Sequence, residues 1–426
     1  MTAEIAILNR SAVALAADSA VTISGPKGEK IYNTANKLFN LSKYHPVGIM
    51  VYSNADFMGV PWETIIKAYR EKVNLKNIKD TIHEQGMDFI DYLKNNHDIF
   101  TKNIVEDFKE MRIFRYFNHI KKRIENKVTE ETNIRKNVNV NNIINEEIEF
   151  QKNWFLGFKY HNNFTDADFK KFFSNNKRIY VKLRGEVFQQ IPFSRANIRE
   201  LLKTLFAFMF KDHPLFRSMT GIVITGFGNS EYLPSIIDFE VHYIIDGDLL
   251  YKINNDDSNI SGSLIMPYAQ PDMVHTFIKG INPDLYNSAY SALNKMFNKI
   301  SDDFKNIPQI KKLRKANKIQ ITENIKLLHT DNLKSFFEEF EKTIKLTFID
   351  PVVMSISSLP KEELAAVAES LVYLTFLRKR MSDEPETVGG DIDVAVISKG
   401  DGFIWIKRKH YFKSELNPHF IKNYFK

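Results

Sequence analysis

Near the start of the chain the hydrophobic positions fall into two short runs, AEIAILN (3–9) and AVALAADSAVTI (12–23), which predict two strands joined by a tight turn at Asn9, Arg10 and Ser11. A loop rich in Gly and Lys, Ser24 to Lys30, leads to a third strand around Lys37 to Leu41 and a fourth over Val47 to Tyr52. The period then becomes helical. In GVPWETIIKAYREKV, Pro61 suits a first turn, and Trp62, Ile65, Ile66, Tyr69 and Val73 share one face. From 74 to 215 Lys, Asn, Glu and Phe recur at helical spacing with little alternation, which predicts a helical insertion. Strand character returns at Gly221 to Thr225 and across Ile236 to Ile253, where two strands meet at Asp246, Gly247 and Asp248. A second polar helical stretch covers 281–345. Pro360 opens a helix with Leu364, Val367, Ala368, Leu371 and Leu374 on one face, and the strands IDVAVIS and FIWIKRKHY close the pattern around a turn at Lys399 to Gly402.

This order predicts an α+β protein in which sheets pack between helical layers. It divides the chain into core segments 1–73, 216–280 and 346–426, separated by helical insertions 74–215 and 281–345. No apolar run approaches the roughly 20 residues a membrane helix needs. The opening MTAEIAILNRSAVALAADSA is not expected to act as a secretory signal, because Glu4 precedes the first base, Arg10, and Asp18 breaks the apolar stretch. A cytoplasmic protein without membrane association is the expectation.

Composition narrows the chemistry. With 43% hydrophobic and 26% charged residues among 426, the chain is ordinary globular material. Cysteine is absent, which excludes disulfides, thiolate metal sites, iron–sulfur clusters and a cysteine nucleophile. Any nucleophile must carry oxygen or nitrogen. The net charge of +7, from 59 basic and 52 acidic residues, is too mild to predict a nucleic-acid partner, and the basic, aromatic FIWIKRKHYF reads as a final strand with a solvated end. The eleven histidines form no HExxH and no close pair in sequence, so no metal is expected. TGFGNSE (225–231) lacks a full dinucleotide fingerprint and NNDDSN (254–259) lacks the spaced ligands of a calcium loop; both read as turns, and no cofactor is expected.

The chemistry concentrates at the N-terminus. Thr2 follows Met1 and precedes the small Ala3, a start from which Met is readily removed to expose a threonine with a free α-amine. One residue then holds nucleophile and base together, since an α-amine of pKa about 7.7 to 8.0 is partly neutral near physiological pH and can take the hydroxyl proton. Asp18 interrupts the apolar ALAADSAV, where an unpaired carboxylate is costly and calls for a cation. Lys37, opening KLFNL, can be that cation, and an ammonium held by Asp18 beside Thr2 would favour the developing alkoxide.

Thr2, AVALAADSAVT with Asp18 and NKLFNL with Lys37 together resemble the N-terminal threonine, aspartate and lysine pattern of proteasome β subunits and their bacterial relatives. The C-terminal GGDIDVAVISKGDGF is similar to the glycine pair, final strand and hairpin of the same family. The resemblance implies a four-layer αββα N-terminal nucleophile hydrolase sandwich, here with helical insertions. It also implies a threonine peptidase assembled as a ring homo-oligomer, acting on peptides or unfolded proteins, with room for an ATP-dependent unfoldase as partner. By the same resemblance Thr2 is the nucleophile, Asp18 the partner of Lys37, and Lys37 the group that lowers the hydroxyl pKa. Ser53 matches the position whose backbone N–H forms the oxyanion hole, where the family usually has glycine, and Val51 contributes to the pocket for the substrate side chain. Before the glycine pair the family places an Asp and a Ser. Here Pro385 and Val388 stand at those positions, so Glu384, Glu386 or Thr387 would have to substitute. The family's remaining serine, which assists the amine, has no clear match around Ser263 to Asp272. Two other functions stay open: an amidase acting on a small amide, and a non-catalytic ring or binding subunit, which Ser53 and Val388 would suit.

Overall fold

The computed structural model describes residues 3–25, 28–73, 79–134, 138–162, 164–189, 191–304, 306–382, 388–410 and 412–419. The chain starts with β1 (Glu4–Leu8) and β2 (Val13–Ala17), a hairpin of β3 (Val21–Gly25) and β4 (Gly28–Tyr32), then β5 (Leu38–Asn40) and β6 (Val47–Ser53). A short ladder of β7 (Asp56–Phe57) and β8 (Val60–Pro61) leads into α1 (Trp62–Lys72), α2 (Ile82–Asn95), α3 (Lys102–Ile134), α4 (Val140–Leu156), α5 (Phe169–Val187) and α6 (Arg195–Phe210). Next come β9 (Thr220–Gly226), β10 (Ser235–Ile245), β11 (Asp248–Asp257) and β12 (Leu264–Tyr268). Helices α7 (Asp272–Lys279), α8 (Pro283–Phe304), α9 (Pro308–Lys311), α10 (Lys315–Ile344), α11 (Asp350–Ser357) and α12 (Lys361–Arg380) precede the final pair, β13 (Asp393–Ser398) and β14 (Gly402–Lys407). The protein is thus of mixed α and β composition, as an α+β chain should be. No helix among the described residues is long and apolar enough to cross a membrane.

Two five-stranded antiparallel sheets organise these elements. The first runs β12-β1-β2-β13-β14 and the second β11-β10-β9-β6-β5. The period of two along each strand sorts its side chains between two apolar layers. Ile5, Ile7, Ala14, Ala16, Val394 and Val396 of the first sheet pack with Leu364, Ala365, Ala368 and Leu371 of α12. The small residues on both sides, Ala14 and Ala16 against Ala365 and Ala368, let the helix lie close to the strands. The alternate set, Ala6, Leu8, Val13, Leu15, Ala395 and Ile397, meets Leu38, Met50 and Val223 of the second sheet. Gly48 marks how closely the sheets approach, since a Cβ there would sit 2.8 Å from Ile397 Cδ1 and 3.0 Å from Leu15 Cδ1. The opposite face of the second sheet, with Ile49, Val51, Ile222, Ile224, Ile237 and Phe239, is covered by α1 through α6.

Several sequence expectations need correction. The run 12–23 is not one strand. It stops at Ala17, and the chain turns through Asp18 to Ala20 before β3. Of the expected loop from Ser24 to Lys30, Ser24 and Gly25 belong instead to β3 and Gly28, Glu29 and Lys30 to β4, whose polar GEKIY gives no apolar alternation to read. The NNDDSN segment is not a turn at its start, because β11 continues to Asp257 as an edge strand that, among the described residues, pairs with β10 alone and so tolerates polar residues. β12 and α7 have no counterpart in the sequence pattern. β12 contains Pro267, which reads as a strand breaker yet is accommodated because β12 lies at the sheet edge.

Candidate active site

β2 ends at Ala17, and the next residue carries the first ionised group of the site. Asp18 is only 1% exposed, and its two oxygens accept four hydrogen bonds. Oδ1 accepts from the Ala3 backbone N–H at 3.0 Å and from Lys37 Nζ at 2.6 Å. Oδ2 accepts from the N–H groups of Ala20 at 3.2 Å and Gly389 at 3.0 Å. A buried carboxylate without such donors would be strongly destabilising, and here one side chain ties together the start of β1, its own turn, the approach to β5 and the loop before β13. The Asp18 N–H returns a bond to the Ala3 carbonyl at 3.1 Å, closing the connection to β1.

Lys37 immediately precedes β5 and is also buried. Its carbonyl accepts from the Val51 N–H at 2.9 Å, so the backbone of β6 fixes where the ammonium starts. On the far side, the glycine pair lets the loop come close. Gly390 has φ of 76°, and a Cβ there would lie 2.7 Å from Asn33 Cβ and 3.1 Å from Ser19 Cβ, so only glycine fits. Gly389 needs no such exemption, but its carbonyl accepts from the Ser19 N–H at 3.1 Å and completes the clasp around Asp18.

The remaining sequence candidates divide three ways. Thr2, Glu384, Glu386 and Thr387 lie outside the described residues. Ser53 ends β6 with φ of 78°, in the left-handed region that favours glycine, and it is exposed. Val51 and Val388 are both buried, Val51 in the apolar layer under α1 through α6 and Val388 in the layer under α12. The structure therefore brings Asp18, Lys37, Ala3 and Gly389 together, and it places Val51 beside Lys37 through the backbone while its side chain belongs to the core.

Sequence reasoning missed a second polar group facing the space between the sheets. Glu4, on β1, is buried, and neither of its carboxylate oxygens has a hydrogen-bond partner. Burial pushes its carboxyl well above the usual range, with Lys37 opposing and Asp18 adding to the shift. Its cross-strand partner Tyr268 stacks on Tyr52, with ring centroids 5.3 Å apart. The Tyr52 hydroxyl is 3.2 Å from Asp238 Oδ1, to which it donates. The available signal was parity: Glu4 shares its side of β1 with Ala6 and Leu8, which are buried between the sheets.

Asp238 gives a pH prediction. Burial raises its carboxyl to about 6, against hydrogen bonds from Asn254 and Tyr52 that favour the ionised form. An unfolded Asp titrates near about 3.9. Between those values the folded protein keeps a proton that the unfolded chain has shed, so this group's unfavourable contribution is absent below about pH 4 and grows as pH rises through about 6. Asp238→Asn removes the ionisation and keeps the shape. In paired denaturant titrations the variant should lose less stability than wild type between about pH 4 and 7, by on the order of 2 kcal/mol. Parallel curves would mean that Asp238 ionises as it does in the unfolded chain.

No family model and no curated protein matches this sequence. Among solved structures, Anbu (ancestral beta-subunit) from Yersinia bercovieri aligns over 99% of this chain and 94% of that chain, at 8% identity and a TM-score of 0.31. A likeness of that size carries no weight for fold or function.

Proposed function

We propose that this protein is an N-terminal threonine hydrolase of the proteasome-like kind, a peptidase built on a four-layer αββα sandwich. The observation that carries this reading is the Asp18–Lys37 pair. Asp18 Oδ1 holds both the Lys37 ammonium at 2.6 Å and the N–H of Ala3 at 3.0 Å, and Ala3 is the residue that follows Thr2 in the chain. A buried ammonium anchored one peptide bond from a threonine is the electrostatic arrangement that a developing alkoxide requires.

In this mechanism removal of Met1 frees the α-amine of Thr2. The Thr2 hydroxyl oxygen attacks the substrate carbonyl carbon, and its proton passes to the amine, directly or through water. Lys37 stabilises the oxygen while it is negatively charged, and Asp18, 2.6 Å from the ammonium, holds it in place. Collapse of the tetrahedral intermediate breaks the carbon–nitrogen bond, and the leaving amine takes the proton from the α-amine. Water then cleaves the acyl ester and regenerates Thr2. The backbone N–H of Ser53 receives the carbonyl oxyanion, and the left-handed φ at Ser53 supports that role, because it is the conformation that makes glycine usual there. Val51 borders the pocket through its backbone, and Glu384, Glu386 or Thr387 stands in for the family's Asp and Ser before the glycine pair. The chain assembles with copies of itself in a ring and takes peptides or unfolded proteins, with an unfoldase as partner; the helices over 74–215 and 281–345 decorate this core.

A non-catalytic ring subunit is the second reading, and Val388 favours it: this buried apolar side chain stands where the family carries a serine. Intact mass with and without a peptide epoxyketone, which bonds to hydroxyl and amine of the same residue, distinguishes the two. The catalytic reading expects loss of the Met1 mass and one probe per chain on the peptide bearing Thr2. Retained Met1 in an active protein, or probe on another residue, would sink the threonine mechanism. Met1 removed with no probe bound would favour the binding subunit. A panel of peptides against small amides then separates a peptidase from an amidase.

A further inference from the structure

Away from Asp18 and Lys37, three potential metal ligands far apart in the sequence converge beside β10. His161 lies in the turn after α4, Asp212 just beyond α6, and His242 on β10 itself. Each offers one ligand atom, and these atoms lie within 4.8 Å of one another. The two imidazole rings have centroids 4.1 Å apart, so histidines without a close sequence spacing form a close pair in space. Local backbone bonds hold the loop in place: the His161 N–H donates to the Phe210 carbonyl at 2.8 Å, and Tyr160 bridges Lys211.

The surrounding ion pairs involve the carboxylates more closely than the imidazoles. Lys252 reaches Asp212 at 2.9 Å and Glu240 at 3.1 Å, while Arg217 pairs with Glu240 and lies 3.6 Å from Asp212. Two cations thus meet two carboxylates. His242, at 6% exposure, has its Nε2 buried and meeting no hydrogen bond of good geometry, and the nearby Glu240 Oε1, 3.2 Å away, attracts it. A buried imidazole nitrogen without an aligned partner carries a desolvation cost that a bound ion would offset. Asp212, with a side chain 31% exposed, leaves the cluster open on one side for an ion to enter.

We propose that His161, Asp212 and His242 bind a divalent transition-metal ion of the zinc type, with the fourth position open to solvent beside Asp212. Two imidazoles and one carboxylate are ligands that suit zinc, and Lys252 holds the second oxygen of Asp212 in the manner of an outer-shell partner. The ion joins the segments after α4 and α6 to the second sheet, and so fastens those helices to the layer beneath them. This site is independent of the threonine mechanism, and its test requires no activity.

The full chain is stripped with a chelator, dialysed against zinc chloride or cobalt chloride, desalted and assayed for metal. One equivalent per chain should remain, the cobalt form should show visible absorption of a four- or five-coordinate site, and zinc should raise the thermal midpoint. The double variant His161→Gln/His242→Gln should lose at least tenfold in affinity and the cobalt band. If that variant misfolds, Asp212→Asn, altered at the exposed ligand, supplies the same comparison. Wild type that retains no metal, or variant protein that retains it equally through its other histidines, overturns the proposal.

Discussion

Thr2→Ala is expected to have no measurable hydrolysis, whereas Thr2→Ser should retain a readily measured fraction, with both forming the same oligomer as wild type. The contrast follows from what each substitution removes. Serine keeps hydroxyl and α-amine on one residue and loses only the methyl, which restricts the rotamer of a β-branched side chain. Alanine keeps the amine and deletes the nucleophile, a loss worth several orders of magnitude in an enzyme that works through a covalent intermediate. Neither change touches the hydrogen bonds of Asp18, because its partners are Lys37 and the N–H groups of Ala3, Ala20 and Gly389. The clasp around Asp18 is therefore expected to survive both, and assembly measured beside turnover separates lost chemistry from lost structure. A Thr2→Ala protein that is assembled and fully active would leave another nucleophile or none.

How much of this was legible in the sequence depended on whether the signal was local. An aspartate inside an alanine-rich strand is conspicuous, because the cost of burying it demands a partner, and Lys37 was the nearest cation at the head of a strand. The Trp62 to Val73 face and the Leu364 to Leu371 face announced α1 and α12 by period alone, and both are buried where that period places them. Glu4 was as conspicuous as Asp18 in principle, but parity on β1 matters only once β1 is known to have two covered faces. His161 and His242 could not be paired from sequence, since their contact depends on how the turn after α4 meets β10. β12 stayed hidden for a related reason: five residues with a proline read as a loop until a neighbouring strand, β1, supplies the ladder. Local physics thus exposed the charged pair and the amphipathic helices, whereas contacts set by topology stayed out of reach.

Lys37→Ala should cut turnover by about a hundredfold to a thousandfold, since a fixed charge aimed at a developing oxyanion contributes roughly 3 to 4 kcal/mol to lowering the barrier. The fold should weaken without collapsing. Asp18 would lose one of four donors and keep three backbone N–H groups, two of them on Oδ2, where Lys37 does not reach. Breaking a buried pair by removing one partner nonetheless costs on the order of 3 to 5 kcal/mol, so turnover has to be compared at a temperature where circular dichroism shows both proteins folded. Asp18→Asn tests the same pair from the other side. It keeps an oxygen for the Ala3 N–H but takes away the carboxylate that fixes Lys37, so the ammonium is no longer held where the alkoxide forms. If both residues act through one electrostatic unit, the double variant should be scarcely slower than the worse single, because the second change removes an interaction already lost. Losses that simply multiply would mean separate roles for the two residues, and near-normal turnover in folded Lys37→Ala would reduce the pair to a structural tie between β1, β5 and the glycine loop.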